Sequence, residues 1–146
     1  RPPGASFLSR RLRSDRLVAV VQRSSRLSKR KDIGFAELVR LPLILREEGS
    51  TTRRLLIEEA ARRGLVLSGT IEIESREAAR EAAAQGLGIA IMSEGELVPD
   101  GRLAVLAIPD WETEMEEWMI CLRSRSSLHV IRSFFTPEGE RDKQGA

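Results

Sequence analysis

The sequence predicts an α/β fold with a largely parallel sheet. Short apolar runs of strand-forming residues alternate with segments of helical spacing, and at two junctions a hydroxyl residue stands where a helix needs its N-cap. Size agrees: 146 residues suffice for one domain with a sizeable core, and no apolar run approaches the ~20 residues of a membrane span.

Residues 17–21, LVAVV, form the first strand, and a Ser/Arg/Lys loop follows. Residues 35–39 make a short helix that must stop before Pro42. The apolar run 43–45 is a strand, and leucines and alanines at helical spacing extend a helix over 51–63, closed by Gly64 in the left-handed position. Residues 70–74 alternate apolar with polar, as a half-buried strand does, and Ser75 caps a helix over 76–85. That helix offers Ala78, Ala79, Ala82 and Ala83 to the sheet, with Arg76, Arg80, Glu77 and Glu81 outside, and Gly86 ends it. A buried strand at 88–92, a turn at 93–97, strands at 103–108 and 117–123, a helix at 128–135 and a polar tail after Pro137 complete the chain.

Charge is unevenly spread. Residues 1–40 carry eleven arginines and lysines against three acids, and the rest carry thirteen against nineteen. The basic run 26–31 reads as a nucleic-acid arm or as solvated surface; the lack of any aromatic residue between Phe7 and Phe35 to stack a base favours the second. Cys121 is the only cysteine, so no internal disulfide forms, and with no secretory apolar core after the first residues a reducing cytoplasm is expected.

Enzymatic constellations are missing. His129, the only histidine, has no carboxylate or cysteine at ligand spacing, and Cys121, within an apolar stretch, is expected to be a small buried hydrophobe. Adjacent Glu47 and Glu48 point to opposite sides of an extended chain, and Gly86-Leu87-Gly88 lies between a helix and a strand, the reverse of a dinucleotide fingerprint. No metal and no cofactor is expected.

What remains is LREEGSTTRR at 45–54, where a strand turns into a helix. Ser50, Thr51 and Thr52 either cap the first backbone N–H groups or add hydroxyl donors beside them, which makes an anion site. Ser75 stands at a second such turn, and in open α/β sheets ligands gather at that end of the strands. The chemistry suits reversible sensing rather than turnover.

PLILREEGSTTRRLLIEEAARRG at 42–64, followed by IEIESREAAREAAAQGLGIAIMSEGEL at 71–97, resembles the effector-binding domain of LysR-type transcriptional regulators. The pieces occur in family order over about residues 7–136, except that Ser25-Arg26-Leu27-Ser28 stands where the family has H-P-L-A. The resemblance implies a type 2 periplasmic-binding-protein-like fold of two α/β lobes joined by crossing strands, of which this chain holds one nearly complete Rossmann-like lobe plus the C-terminal strand and helix of the other. Residues 1–14 would be the crossing segment from the first lobe, 15–118 the effector-binding lobe, 119–136 the return, and 137–146 a polar tail. The start of the other lobe and a DNA-binding winged helix-turn-helix would lie outside the chain.

By the same resemblance, Ser50, Thr51, Thr52 and Arg53 match the turn that faces the effector, Ser75 and Arg76 the second helix start, and Met92 and Ser93 the segment beside the cleft. Ser50 and Thr51 are assigned the anion contact, Thr52 and Ser75 support it, Arg53 either joins it or solvates the helix, and Met92 is either wall or core. The implied partners are a small anionic effector, a second copy in a homodimer or higher oligomer, and DNA through the absent segment, with no membrane. A solute-binding protein of a transporter shares the fold and stays open; an enzyme would need a catalytic set that is not found.

Overall fold

The structure, a computed structural model, describes residues 4–135. The elements in chain order are β1 (Phe7–Gln22), α1 (Phe35–Leu38), β2 (Leu43–Arg46), α2 (Thr51–Arg62), β3 (Thr70–Ile73), α3 (Arg76–Ala84), β4 (Ile89–Ser93), β5 (Leu103–Ala107), β6 (Glu114–Leu122) and α4 (His129–Phe135). Three 3-10 turns lie at Arg26–Lys29, Glu94–Glu96 and Arg123–Arg125. The polar tail expected at 137–146 lies outside the described residues. The chain divides into two compact units, Asp15–Met115 and a smaller one whose described part is residues 4–14 and 116–135.

In the larger unit the strands lie in the order β3-β2-β4-β1-β5. β2 pairs in parallel with β3 and with β4, as expected for strands followed by helices, but β1 is antiparallel to both β4 and β5. The sheet is therefore mixed. A parallel return needs a crossover of a dozen or more residues, usually a helix, and α2 and α3 supply it between β2 and β3 and between β3 and β4.

Period-2 alternation sends the strand residues to two faces. Leu17, Ala19, Val21, Leu43, Leu45, Ile89, Ile91 and Leu106 pack with Phe35, Leu38 and the α2 residues Leu56 and Ala60. On the opposite face Val18, Val20, Ile44, Ala90 and Met92 meet α3. The α3 contact is made by Ala79, Ala82, Ala83 and Ala84; Ala78 is exposed, so the apolar face is rotated from the one expected. At Gly88 a Cβ would lie 2.9 Å from the Pro42 carbonyl oxygen, which also accepts the Ile89 N–H, so a glycine is required there for β4 to start beside β2. β3 is more exposed than its alternation predicts, since it is an edge strand with β2 as its one neighbour.

Within the smaller unit, β1 continues well before the expected start at residue 17. Its basic residues there are matched from β6: Arg11 meets Glu116 at 3.1 Å and Arg13 meets Glu117 at 2.7 Å. Cys121 is half-buried rather than buried, and His129 is exposed.

The C-terminal end of α2 carries a buried carboxylate. Glu59 accepts from Arg62 Nε at 2.9 Å and from Arg63 Nε at 2.6 Å. Arg63 also donates to Asp110, whose other carboxylate oxygen takes the Phe35 N–H at 2.9 Å, and its guanidinium lies 4.6 Å from the Phe35 ring centre. The bonds from Arg62, then from Arg63, outweigh burial and hold the Glu59 carboxyl down at about 2. Because that value is depressed, the stabilisation is complete above the ordinary 4.5 and disappears as pH falls toward about 2. Glu59→Gln is expected to lower stability at pH 7 by about 1.5–3 kcal/mol in urea unfolding. The wild-type and variant stabilities should converge as pH falls from about 4.5 toward about 2, and a gap independent of pH would contradict this account.

Candidate functional site

Because β2, β3 and β4 run the same way, their C-terminal ends Arg46, Ile73 and Ser93 lie at one edge of the sheet, and the starts of α2 and α3 follow there. The two helix starts differ. Ser75 Oγ accepts the Ala78 N–H at 3.0 Å, which closes one donor of α3. Ser50, the N-cap of α2, makes no side-chain cap bond, although its carbonyl oxygen accepts the Arg54 N–H at 3.0 Å. The first-turn N–H groups of α2 therefore lack the side-chain partner that α3 has.

Gly49, with φ +92°, delivers the chain into this turn. Ser50, Arg53, Arg54 and Ile57 recur at helical spacing on one side of α2 and, with Glu48, Gly49 and Glu58, line a cavity of about 370 Å³. Thr51 is exposed at the head of the helix, while Thr52 is buried against the sheet at 9% exposure.

Four arginines at this edge are each committed to an acid. Arg46 donates twice to Glu47, both bonds 2.7 Å, and this holds the Glu47 carboxyl below its ordinary range. Arg53 is no solvated outer residue. It turns back to donate to the Arg46 carbonyl at 3.0 Å and pairs with Glu72 of β3 at 2.8 Å, leaving its side chain 17% exposed. Arg54 pairs with Glu58 at 2.9 Å, and Arg76 with Glu96 at 2.7 Å. Apart from the Ser50 N–H, which donates to the Glu47 carbonyl at 3.2 Å, the hydroxyl and backbone groups at the start of α2 are the donors that these pairs leave over.

The remaining candidates sit deeper. Met92 packs on the α3 face of the sheet. Ser93 is completely buried, and its Oγ donates to Asp15 Oδ2 at 3.2 Å. Sequence reasoning missed Asp15, Glu72 and Glu96. Asp15 had a signal, being the only acid among the first 31 residues, but the acids on β3 and on the turn after β4 look like ordinary surface charges.

A family model described as LysR substrate binding domain matches residues 1–136. The HTH-type transcriptional activator CmpR of Synechocystis sp. is 35% identical over 121 residues, 82% of this chain and 40% of that protein. The RuBisCO operon transcriptional regulator of Acidithiobacillus ferrooxidans is 32% identical over 107 residues, 71% of this chain and 35% of that protein. This chain thus spans well under half the length of these relatives. The fold is that of the Synechocystis PCC6803 CcmR regulatory domain in complex with 2-PG, with a TM-score of 0.79 and 24% identity over 92% of this chain and 67% of that one. It is also that of the BenM effector binding domain with benzoate, with a TM-score of 0.74 and 17% identity over 95% of this chain and 68% of that one.

The asymmetry of the two helix starts is measurable. Ser75→Ala should cost about 1 kcal/mol in urea unfolding, since it removes a cap bond, whereas Ser50→Ala should cost only a few tenths. Equal losses would show that Ser50 caps α2 in solution.

Proposed function

The chain belongs to the LysR substrate binding domain family, and from that premise we propose that it is the sensing part of a transcriptional regulator whose effector is a small anionic metabolite. The observation that carries the proposal is the open first turn of α2 beside its cavity, at the sheet edge where the C-terminal ends of β2, β3 and β4 gather. Ser50 and Thr51 hold the anion, Thr52 and Ser75 keep the two helix starts in place, and Arg53 shapes the floor through its bonds to Arg46 and Glu72. Arg76 stands at the adjoining helix start, and Met92 and Ser93, buried behind it, support that side of the site from within.

Magnitudes limit what α2 does alone. The helix dipole contributes about 0.3–1 kcal/mol and each hydrogen bond to a charged group about 1.5–3, against roughly 8 kcal/mol for micromolar affinity and a cost for immobilising the ligand. Tight binding therefore calls for a second wall that excludes water. A complete two-lobed domain supplies it as a cleft.

Closure around the ligand favours one arrangement of the domain, and a coupling of about 1–3 kcal/mol passes to a DNA-binding segment through an oligomer of at least two copies. No helix among the described residues is long and apolar enough to cross a membrane. Function beside DNA puts the protein in the cytoplasm.

The test is a titration of the full-length protein with monoanions (acetate, glycolate, benzoate) and dianions (malonate, phosphonoacetate), read by calorimetry. Saturable binding that weakens about tenfold in Ser50→Ala or Thr51→Val is expected, one charge-assisted hydrogen bond being lost. Binding indifferent to both substitutions would remove the α2 site from the account.

A further inference from the structure

We propose that the larger unit holds a second ligand site, independent of the α2 turn, in the cavity between β1, β5 and residues 97–101, and that this site takes a carboxylate with an alkyl tail. The cavity measures about 670 Å³, a size typical of small-molecule sites, and shares no lining residue with the one beside Ser50. Its floor is apolar. α3 lies over β2 and β4, so the β1–β5 side of the same face is bounded instead by the loop at 97–101. Val20 and Val105 are partners in the β1–β5 ladder and therefore point to one face, the one where Val20, Met92 and Leu103 are buried. Val105 is nevertheless 46% exposed, and Val98 in the loop is 64% exposed. The solvated side of an edge strand ordinarily carries polar residues, so these open valines mark a surface that gains from being covered.

The rim is cationic. The Arg23 N–H donates to the Arg102 carbonyl at 2.7 Å, which fixes Arg23 beside the start of β5, and its side chain has no hydrogen-bond or ion-pair partner among the described residues. Arg80 of α3 reaches Asp100 at 3.8 Å, too far for a hydrogen bond. Asp100 is engaged elsewhere, since it accepts from Arg102 Nε at 3.1 Å and from a second Arg102 N–H at 2.9 Å, and Arg102 also donates to Glu81. Three arginines thus share two acids, which leaves one positive charge over. A single carboxylate balances it and offers two oxygens to guanidinium groups whose donors are unused. The arginines of the α2 cavity, Arg53 and Arg54, are by contrast already paired with Glu72 and Glu58.

An apolar floor beneath a rim with one spare charge recognises both ends of such a ligand. The experiment titrates the full-length protein by calorimetry with acetate, hexanoate, octanoate, decanoate and hexan-1-ol, in the wild type and in Ser50→Ala, Arg23→Gln, Arg80→Gln and Val105→Asp. Octanoate binding should survive Ser50→Ala and weaken about tenfold in Arg23→Gln and in Arg80→Gln, each of which removes a charge-assisted hydrogen bond. It should tighten by about twofold or more per added CH2, full burial of a CH2 being worth about fourfold. Hexan-1-ol, which lacks the charge, should bind at least about tenfold more weakly than hexanoate. Val105→Asp, an acid set on the exposed floor, should abolish binding. Arg23→Gln breaks no side-chain bond among the described residues, so its urea unfolding should match the wild type and the test stands even if Arg80→Gln fails to fold. Affinity independent of tail length, or indifferent to both arginine substitutions, would overturn the second site. Octanoate binding lost in Ser50→Ala with the arginine variants unaffected would overturn it too and place the ligand at α2. The absence of saturable binding by hexanoate, octanoate and decanoate would likewise overturn it, while acetate binding sensitive to Ser50→Ala would leave the α2 site standing.

Discussion

Parallel pairing of β2 with both β3 and β4 is the constraint on which the rest of the larger unit depends. Strands that share a direction must be joined by crossovers, and the crossovers here are α2 and α3, one on each face of the sheet. The same direction brings the strand ends and helix starts to a single edge. The open turn at Ser50 and the capped one at Ser75 stand at this edge because of that geometry. Gly88 shows how tightly the pairing is held, because the backbone of β4 enters against Pro42 with no room for a side chain.

The electrostatics of the edge work through pairing rather than through surplus charge. Arg46, Arg53, Arg54 and Arg76 each meet an acid, so the site does not rely on free cations. In the function proposed here backbone dipoles and hydroxyl groups take that part, since they need no counter-ion. Arg53 has the most structural of these roles, since it ties the first turn of α2 to the ends of two strands.

The helix and strand order was legible because apolar spacing and capping residues are local signals. Ser50 and Ser75 stand at the predicted helix starts, and Gly64, with φ +65°, closes α2 as expected. Long-range facts were not legible. The charged first half of β1 does not look like a strand, because its partners Glu116 and Glu117 are about a hundred residues away. The direction of β1 depends on a neighbour far along the chain, and the exchange of Ala78 for Ala84 on the buried face depends on how α3 is rotated against the sheet. At the candidate site the hydroxyl turn was visible and the ion pairs were not, since Glu72 and Glu96 reach their arginines only after the strands are in register.

The central position of β1 also shapes the birth of the protein. Residues 17–21 are made well before their neighbours, since both strands that cover their edges, β4 and β5, are encoded about 70 to 85 residues later. At a synthesis rate of about 5–20 residues per second, the apolar run LVAVV waits roughly 4 to 17 seconds for its neighbours. A short, uncharged, β-forming segment in that state is an aggregation hazard. Arg16 and Arg23 bracket it at either end, in the manner of gatekeepers, so that the nascent chain repels its own copies until the sheet can close.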